Sequence, residues 1–249
     1  MGRGRTRLRR THLALTPAFL FGLLAGLLGG PFGPGFAPSA AAEARCEVEL
    51  VLAMDVSRSV STEEYELQMN GLADAFKDEE VRSAVRSIRG GVMATVMIWG
   101  DRRQQKQTTP WTHLRNDEDL DAFSASIAET QRTFGFTLTG LGAAMAFADD
   151  LADLNPKPCY RRVIDVSGDG VWNDGPRPSE VWPTLSPGVT VNGLVILGAT
   201  PDPYAFYEAE VIGGPGAFVE VAASFTDYAE AIRLKLLREL APSLSMRIE

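Results

Sequence analysis

Histidine is almost missing from this sequence: His12 and His113 are the two in 249 residues. His12 falls in a segment read below as a leader, so His113 is left as the one possible histidine base. A lone exposed histidine makes no catalytic triad. No G-x-x-x-x-G-K-[ST] phosphate loop is present, and no internal repeat divides the chain. No apolar run reaches the ~20 residues that a membrane-spanning helix needs. The nearest, Leu13 to Leu28, is broken by Thr16, Pro17 and glycines and runs into a Gly/Pro stretch. Cysteine is limited to Cys46 and Cys159. Positive charge is short as well, with 24 Lys and Arg against 32 Asp and Glu.

What is present begins with a segment unlike the rest. Arg3, Arg5, Arg7, Arg9 and Arg10 open the chain without an acid, the short apolar run follows, and Ser39-Ala40-Ala41-Ala42-Glu43-Ala44 closes it. Basic start, apolar middle and small-residue end predict a secretory signal peptide over residues 1–44, cleaved after Ala42 or Ala44. Arg9-Arg10 leaves a twin-arginine route open beside the general one. The expected mature chain is a single domain over residues 45–249, without a membrane span, in the periplasm or secreted from a bacterial cell. Setting aside the five arginines and one glutamate of the leader leaves 19 basic and 31 acidic residues, a net charge of about −12. That balance disfavours nucleic acid and anionic membranes as partners and suits a protein that binds cations. Arg45 directly before Cys46 breaks the lipid-attachment pattern. An exported chain with an even cysteine count invites a disulfide, although two free thiols satisfy the same count.

Strand and helix patterns alternate along the mature chain. Glu47–Met54, Gly91–Trp99, Arg161–Ser167 and Thr190–Leu197 are nearly continuous in Val, Ile, Leu and Met, which marks strands covered on both faces. Gln105–Thr112 carries Pro110 and suits an edge; Ala217–Val221 is a further short strand. Helices are expected from Ser61 or Thr62 to about Lys77, near Glu79–Arg86, and over Asp117–Thr130, Thr139–Leu154, Tyr204–Ile212 and Thr226–Leu240. This order predicts an α/β fold, a doubly wound, mostly parallel six-stranded sheet with helices on both faces and one antiparallel edge strand. Ligands of such sheets sit beyond the carboxyl ends of the strands, where the strand order reverses.

The loop after the first strand reads Asp55-Val56-Ser57-Arg58-Ser59. A carboxylate and two hydroxyls are hard oxygen donors, suited to Mg²⁺. Hydroxyls bind weakly alone, so more oxygen must come from elsewhere. Thr137 and Thr139 before the alanine-rich helix, and Asp169 after the fourth strand, are the candidates. The competing reading is that Asp55, Ser57 and Ser59 only cap the next helix.

D-x-S-x-S after the first strand, T-x-T-G before a helix and Asp-Gly after the fourth strand together resemble the metal-ion-dependent adhesion site of von Willebrand factor A (VWA) domains, over about Glu47 to Leu240. The resemblance implies Asp55, Ser57, Ser59, Thr137 and Asp169 as ligands of Mg²⁺ or Mn²⁺. It also implies one coordination position left for an acidic side chain of a partner protein. Leu52–Ser61, Val163–Asp174 and Val211–Phe218 resemble more narrowly a group of exported bacterial proteins known as domain of unknown function 1194. Two residues depart from the wider pattern: Arg58 and Phe136 stand where VWA domains often carry glycine, narrowing the rim of the site. The sheet order of VWA domains makes the first and fourth strands neighbours, which places Cys46 and Cys159 side by side and implies a Cys46–Cys159 disulfide.

The expected function is therefore a metal-dependent protein-binding module and not an enzyme. A metal-dependent hydrolase of phosphoesters, with Asp55 as nucleophile, and a metal-free structural domain are the alternatives. Trp99, Trp111 and Trp172 are candidates for an aromatic rim, with core packing favoured for Trp99. Asp101 and Asp174 are expected to be solvated turn acids, and Asp165, inside an apolar strand, requires a partner that the sequence does not reveal.

Overall fold

The computed structural model describes residues 45–241 apart from Phe136. The leader expected over residues 1–44, and Phe136, expected at the rim of the site, lie outside the described residues. The α-helices and β-strands run in the order β1 (Cys46–Asp55), α1 (Thr62–Ala75), α2 (Glu79–Ser87), β2 (Val92–Trp99), β3 (Gln105–Leu114), α3 (Asp117–Ala128), α4 (Leu141–Asp153), β4 (Cys159–Gly168), α5 (Pro178–Val181), β5 (Thr190–Ile196), α6 (Pro203–Phe206), β6 (Val219–Ala222) and α7 (Tyr228–Leu240).

The sheet order is β3-β2-β1-β4-β5-β6. All neighbours are parallel except β2 and β3. Strand order thus reverses between β1 and β4, and the crevice at their carboxyl ends is the switch point at which ligands bind in open α/β sheets.

Side chains of a strand alternate between faces, and this divides the core in two. Leu50, Leu52 and Met54 of β1 point into one layer with α1, α2, α3 and α7. Val51 and Ala53 point into the other with α4, Tyr207 and Val211. The apolar continuity of β1 follows from this double coverage. Ser61 caps α1 through a reciprocal pair in which its hydroxyl accepts from Glu64 N and Glu64 accepts from Ser61 N. Such a pair satisfies two otherwise orphaned donors at the helix start.

Several elements depart from the sequence expectation: α5 was not expected, and the helix expected from Thr226 starts at Tyr228. The helix expected from Thr139 starts at Leu141, because Asn173 Oδ1 holds the Thr139 amide at 2.8 Å outside the helix. The helix expected over Tyr204–Ile212 is α6 followed by a π-helical turn over Tyr207–Val211, which carries Tyr207 and Val211 into the core. The short strand expected at Ala217–Val221 is displaced to Val219–Ala222. Cys46 and Cys159 stand in direct register on β1 and β4 with Cα atoms 4.4 Å apart and form a disulfide.

Candidate metal centre

The carboxyl end of β1 delivers Asp55 into the crevice. Asp55 is the last residue of the strand and fully buried, with the parity of Val51 and Ala53. The backbone turns sharply behind it. The Ser57 amide donates to Asp55 Oδ1 at 2.7 Å, and the Val56 amide donates to Trp99 O at 2.8 Å. Gln68 of α1 donates to Asp55 O at 3.0 Å. Arg132 clamps the same turn, donating to Val56 O at 2.9 Å and Ser57 O at 3.1 Å. Asp55 and Ser57 therefore do not cap α1; Ser61 does.

The turn gathers its hydroxyls. Ser57 Oγ and Ser59 Oγ are 3.2 Å apart, and Ser59 Oγ donates to Asp169 Oδ1 at 2.7 Å across 110 residues of chain. Asp169 directly follows β4 and is 8% exposed. Thr137 is brought in by the backbone, since the Arg58 amide donates to Thr137 O at 2.9 Å. The two threonines part here. Thr139 Oγ1 is engaged by Asn173, whereas Thr137 Oγ1 is buried without a partner. Gly100 makes this possible, for a Cβ there would stand 2.3 Å from Thr137 Oγ1.

Two buried carboxylates so close cost free energy unless a cation compensates them. Burial first, and the negative charge of Asp169 second, push the Asp55 carboxyl up to about 8 from 3.8. Burial also raises Asp169, opposed by the Ser59 hydroxyl. Burial raises the Tyr207 phenol well above its usual value, and Asp55 and Asp169 add to the effect. Asp55 Oδ2, like Thr137 Oγ1, is buried and without a hydrogen-bond partner. Hard oxygens, two acids and two orphaned acceptors in one crevice fit a hard divalent cation.

The surroundings are mixed. Arg58 is exposed and borders, with Arg132, Thr133 and Gly135, a groove of about 550 Å³. Trp99 is fully buried, in keeping with core packing. Trp111 and Trp172 are half-buried and bond to Leu151 O and Gly175 O. Asp101 accepts from the Arg103 amide and serves its own turn, whereas Asp174, expected as a solvated turn acid, accepts from the Arg102 amide and pairs with its guanidinium across 72 residues, joining two loops. His113 Nε2 donates to Gly90 O, beside the start of β2, at the far end of the sheet from Asp55.

Sequence reasoning missed Gln68, Arg132, Asn173 and Tyr207. Gln68, Arg132 and Asn173 bond to Asp55, Val56 and Thr139 across 13, 76 and 34 residues, and the Tyr207 phenol feels the charge of Asp55, so no local spacing signals them.

Comparison with known structures places the fold. Proximal thread matrix protein 1 from the mussel byssus superposes with a TM-score of 0.57 at 18% identity, over 79% of this chain and 49% of that one. A form of that protein with a zinc-occupied metal-ion-dependent adhesion site superposes at 0.56 and 18%, over 80% and 48%. A von Willebrand factor type A protein from Catenulispora acidiphila superposes at 0.56 and 14%, over 79% and 43%. The chain thus spans about half or less of the length of these structures, and at such identities the likeness is one of fold. None of the curated proteins compared matches the chain. The six-stranded sheet is that of a VWA domain, and with residues 45–244 matching the family described as protein of unknown function DUF1194, the chain belongs to that family.

Proposed function

We propose that this chain is an exported binding module that holds a divalent cation, Mg²⁺ or Mn²⁺, between Asp55, Ser57, Ser59, Thr137 and Asp169. The ion then captures an acidic side chain of a partner protein. The observation that carries this reading is the pair of orphaned, buried oxygens, Asp55 Oδ2 and Thr137 Oγ1, in a crevice that already joins Asp55, Ser57, Ser59 and Asp169. The related protein with a zinc-occupied site of this type supports a divalent ion as occupant.

When bound, the ion supplies positive charge and an open coordination position. The chain's own residues do the rest. Ser57 N fixes one oxygen of Asp55, and Ser59 orients Asp169. Arg58 and Arg132 pair with no carboxylate among the described residues and border the adjoining groove. The exposed Arg58 guanidinium, with the positive charge of Arg132 that also acts on Asp55, attracts an acidic partner to a protein that is otherwise net negative. A binding role is further supported by the position of His113, which leaves the crevice without a histidine base among the described residues.

Export rests on the leader-like residues 1–44, with the periplasm or the cell exterior as destination. No helix among the described residues is long and apolar enough to cross a membrane. The test is calorimetric titration of Mg²⁺ and Mn²⁺ into the protein and its Asp55→Ala variant. Saturable binding to the first and none to the second is expected; equal heats from both would overturn the site. Capture from an envelope fraction, with Mg²⁺ and again with a chelator, then reports whether a partner depends on the ion.

A further inference from the structure

Tyr207 is fully buried, yet its hydroxyl has no hydrogen-bond partner. Buried phenols normally have one. Two strand glycines explain how the ring comes to lie where it does. A Cβ at Gly193 of β5 would meet the Tyr207 ring at 2.7 Å, so the ring lies against bare backbone. At the end of β4 a Cβ on Gly168 would stand 2.6 Å from the Tyr207 hydroxyl and 2.9 Å from Asp55 Oδ2. Val166 pairs with Gly193, and Gly168 with Val195, so alternation puts both glycines on the face that Tyr207 and Asp55 share.

The hydroxyl and the free carboxylate oxygen thus both lie close to a single point. They are separated by no more than the sum of those two distances, which a direct hydrogen bond after a small rotation, or one water, spans. One is an orphaned donor and the other an orphaned acceptor. A carboxylate oxygen has two lone-pair sites, so accepting from a phenol leaves one for an ion or its water. The scaffold is a π-helical turn, a distortion frequent at functional sites.

We infer that Tyr207 is a positioning residue of the metal centre, its hydroxyl donating to Asp55 Oδ2, directly or through one water, and aiming that carboxylate at the ion. The inference rests on the reading of Asp55 as a ligand given above. Outer hydrogen bonds of this kind are worth ~10–100-fold in metal affinity.

The experiment compares wild type, Tyr207→Phe, Gly168→Ala and Asp55→Ala by Mg²⁺ calorimetry, tyrosine ultraviolet difference spectra with and without Mg²⁺, and thermal melting without metal. Tyr207→Phe is expected to bind Mg²⁺ ~10–100-fold more weakly, with the metal-free melting temperature unchanged or raised, since an orphaned hydroxyl has been removed. Wild type is expected to show a Mg²⁺-induced tyrosine difference band that Tyr207→Phe lacks. Gly168→Ala, which wedges the hydroxyl and carboxylate apart, is expected to lose both affinity and band. A merely structural tyrosine would lower the melting temperature and leave Mg²⁺ affinity alone. If Tyr207→Phe binds as wild type while Asp55→Ala does not, the role of Tyr207 is overturned and the centre stands. If wild type takes up no Mg²⁺, the centre falls and Tyr207 with it.

Discussion

Asp55 shows at the scale of one residue how a site is held in readiness at the expense of stability. It ends a strand in which the two preceding side chains on that face, Val51 and Ala53, are apolar, and it is buried with one oxygen unmatched. Its carboxyl is raised from 3.8 to about 8, by burial and then by Asp169. Between those values the folded chain keeps a proton that the unfolded chain releases. The Asp55 contribution to the stability of the metal-free protein is therefore fully present below about pH 4 and is lost as pH rises through about 8. Asp165, raised by burial to about 7, adds a slope of the same sign. Urea denaturation in chelator is expected to show wild type weakening from pH 5 to pH 8.5, and Asp55→Asn weakening less. At pH 8.5 Asp55→Asn should exceed wild type by roughly 1–3 kcal/mol; a variant less stable than wild type there would refute the account. Asp55, Ser57, Ser59 and Asp169 could be proposed from the sequence because they lie at or within a few residues of the ends of buried strands, in the spacing that resembles the VWA pattern. The residues alone left Thr137 and Thr139 open and only the resemblance favoured Thr137; the physical difference, Thr139 Oγ1 engaged by Asn173 and Thr137 Oγ1 seated against Gly100, exists only in the fold.

At the scale of an element, α7 was readable as a helix from Ile232, Leu236 and Leu240, all buried as that spacing requires. Its polar content was not readable. Asp165, flagged by sequence as an acid in need of a partner, finds Lys235 of α7 at 2.8 Å, and Lys235 also reaches Glu239 at 2.5 Å. Asn192 of β5 donates to Glu239 at 2.8 Å and accepts from the Phe218 amide at 3.1 Å. This chain of contacts ties α7 to β4, β5 and the entry of β6 beneath the sheet. One ammonium serves two carboxylates, so its removal is severe. Lys235→Met should destabilise the fold by about 3–5 kcal/mol, as expected when one partner of a buried ion pair is lost. Adding Asp165→Leu should recover part of that loss, because the acid left unpaired is then gone. Additive or worsening effects in chemical denaturation would show that the network is not coupled in this way. The π-helical turn at Tyr207–Val211 was equally hidden, because apolar spacing marks a helical segment without fixing its hydrogen-bond ladder.

Across the whole molecule, the central strand β1 carries two unrelated devices at its ends. Cys46 begins it and Asp55 finishes it, and at ~3.3 Å per residue the strand separates them by about 30 Å. The alternation of strands and helices announced the parallel sheet, and the resemblance to VWA domains supplied the order that sets β1 beside β4. From that order the disulfide followed, and Cys46 does pair in register with Cys159. The bridge joins residues 113 apart, and closing so long a loop is worth up to ~4.7 kcal/mol if its effect is mainly on unfolded-chain entropy. Stability and metal binding should therefore respond separately. Cys46→Ala/Cys159→Ala is expected to lose about 2–5 kcal/mol in denaturant while binding Mg²⁺ as wild type does wherever it remains folded. Asp55→Ala should do the reverse, losing Mg²⁺ without losing stability. A double-cysteine variant that stays folded but binds Mg²⁺ weakly would mean that strain at one end of β1 reaches the other. The sheet would then have to be treated as a coupled element and not as a rigid bar with two independent ends.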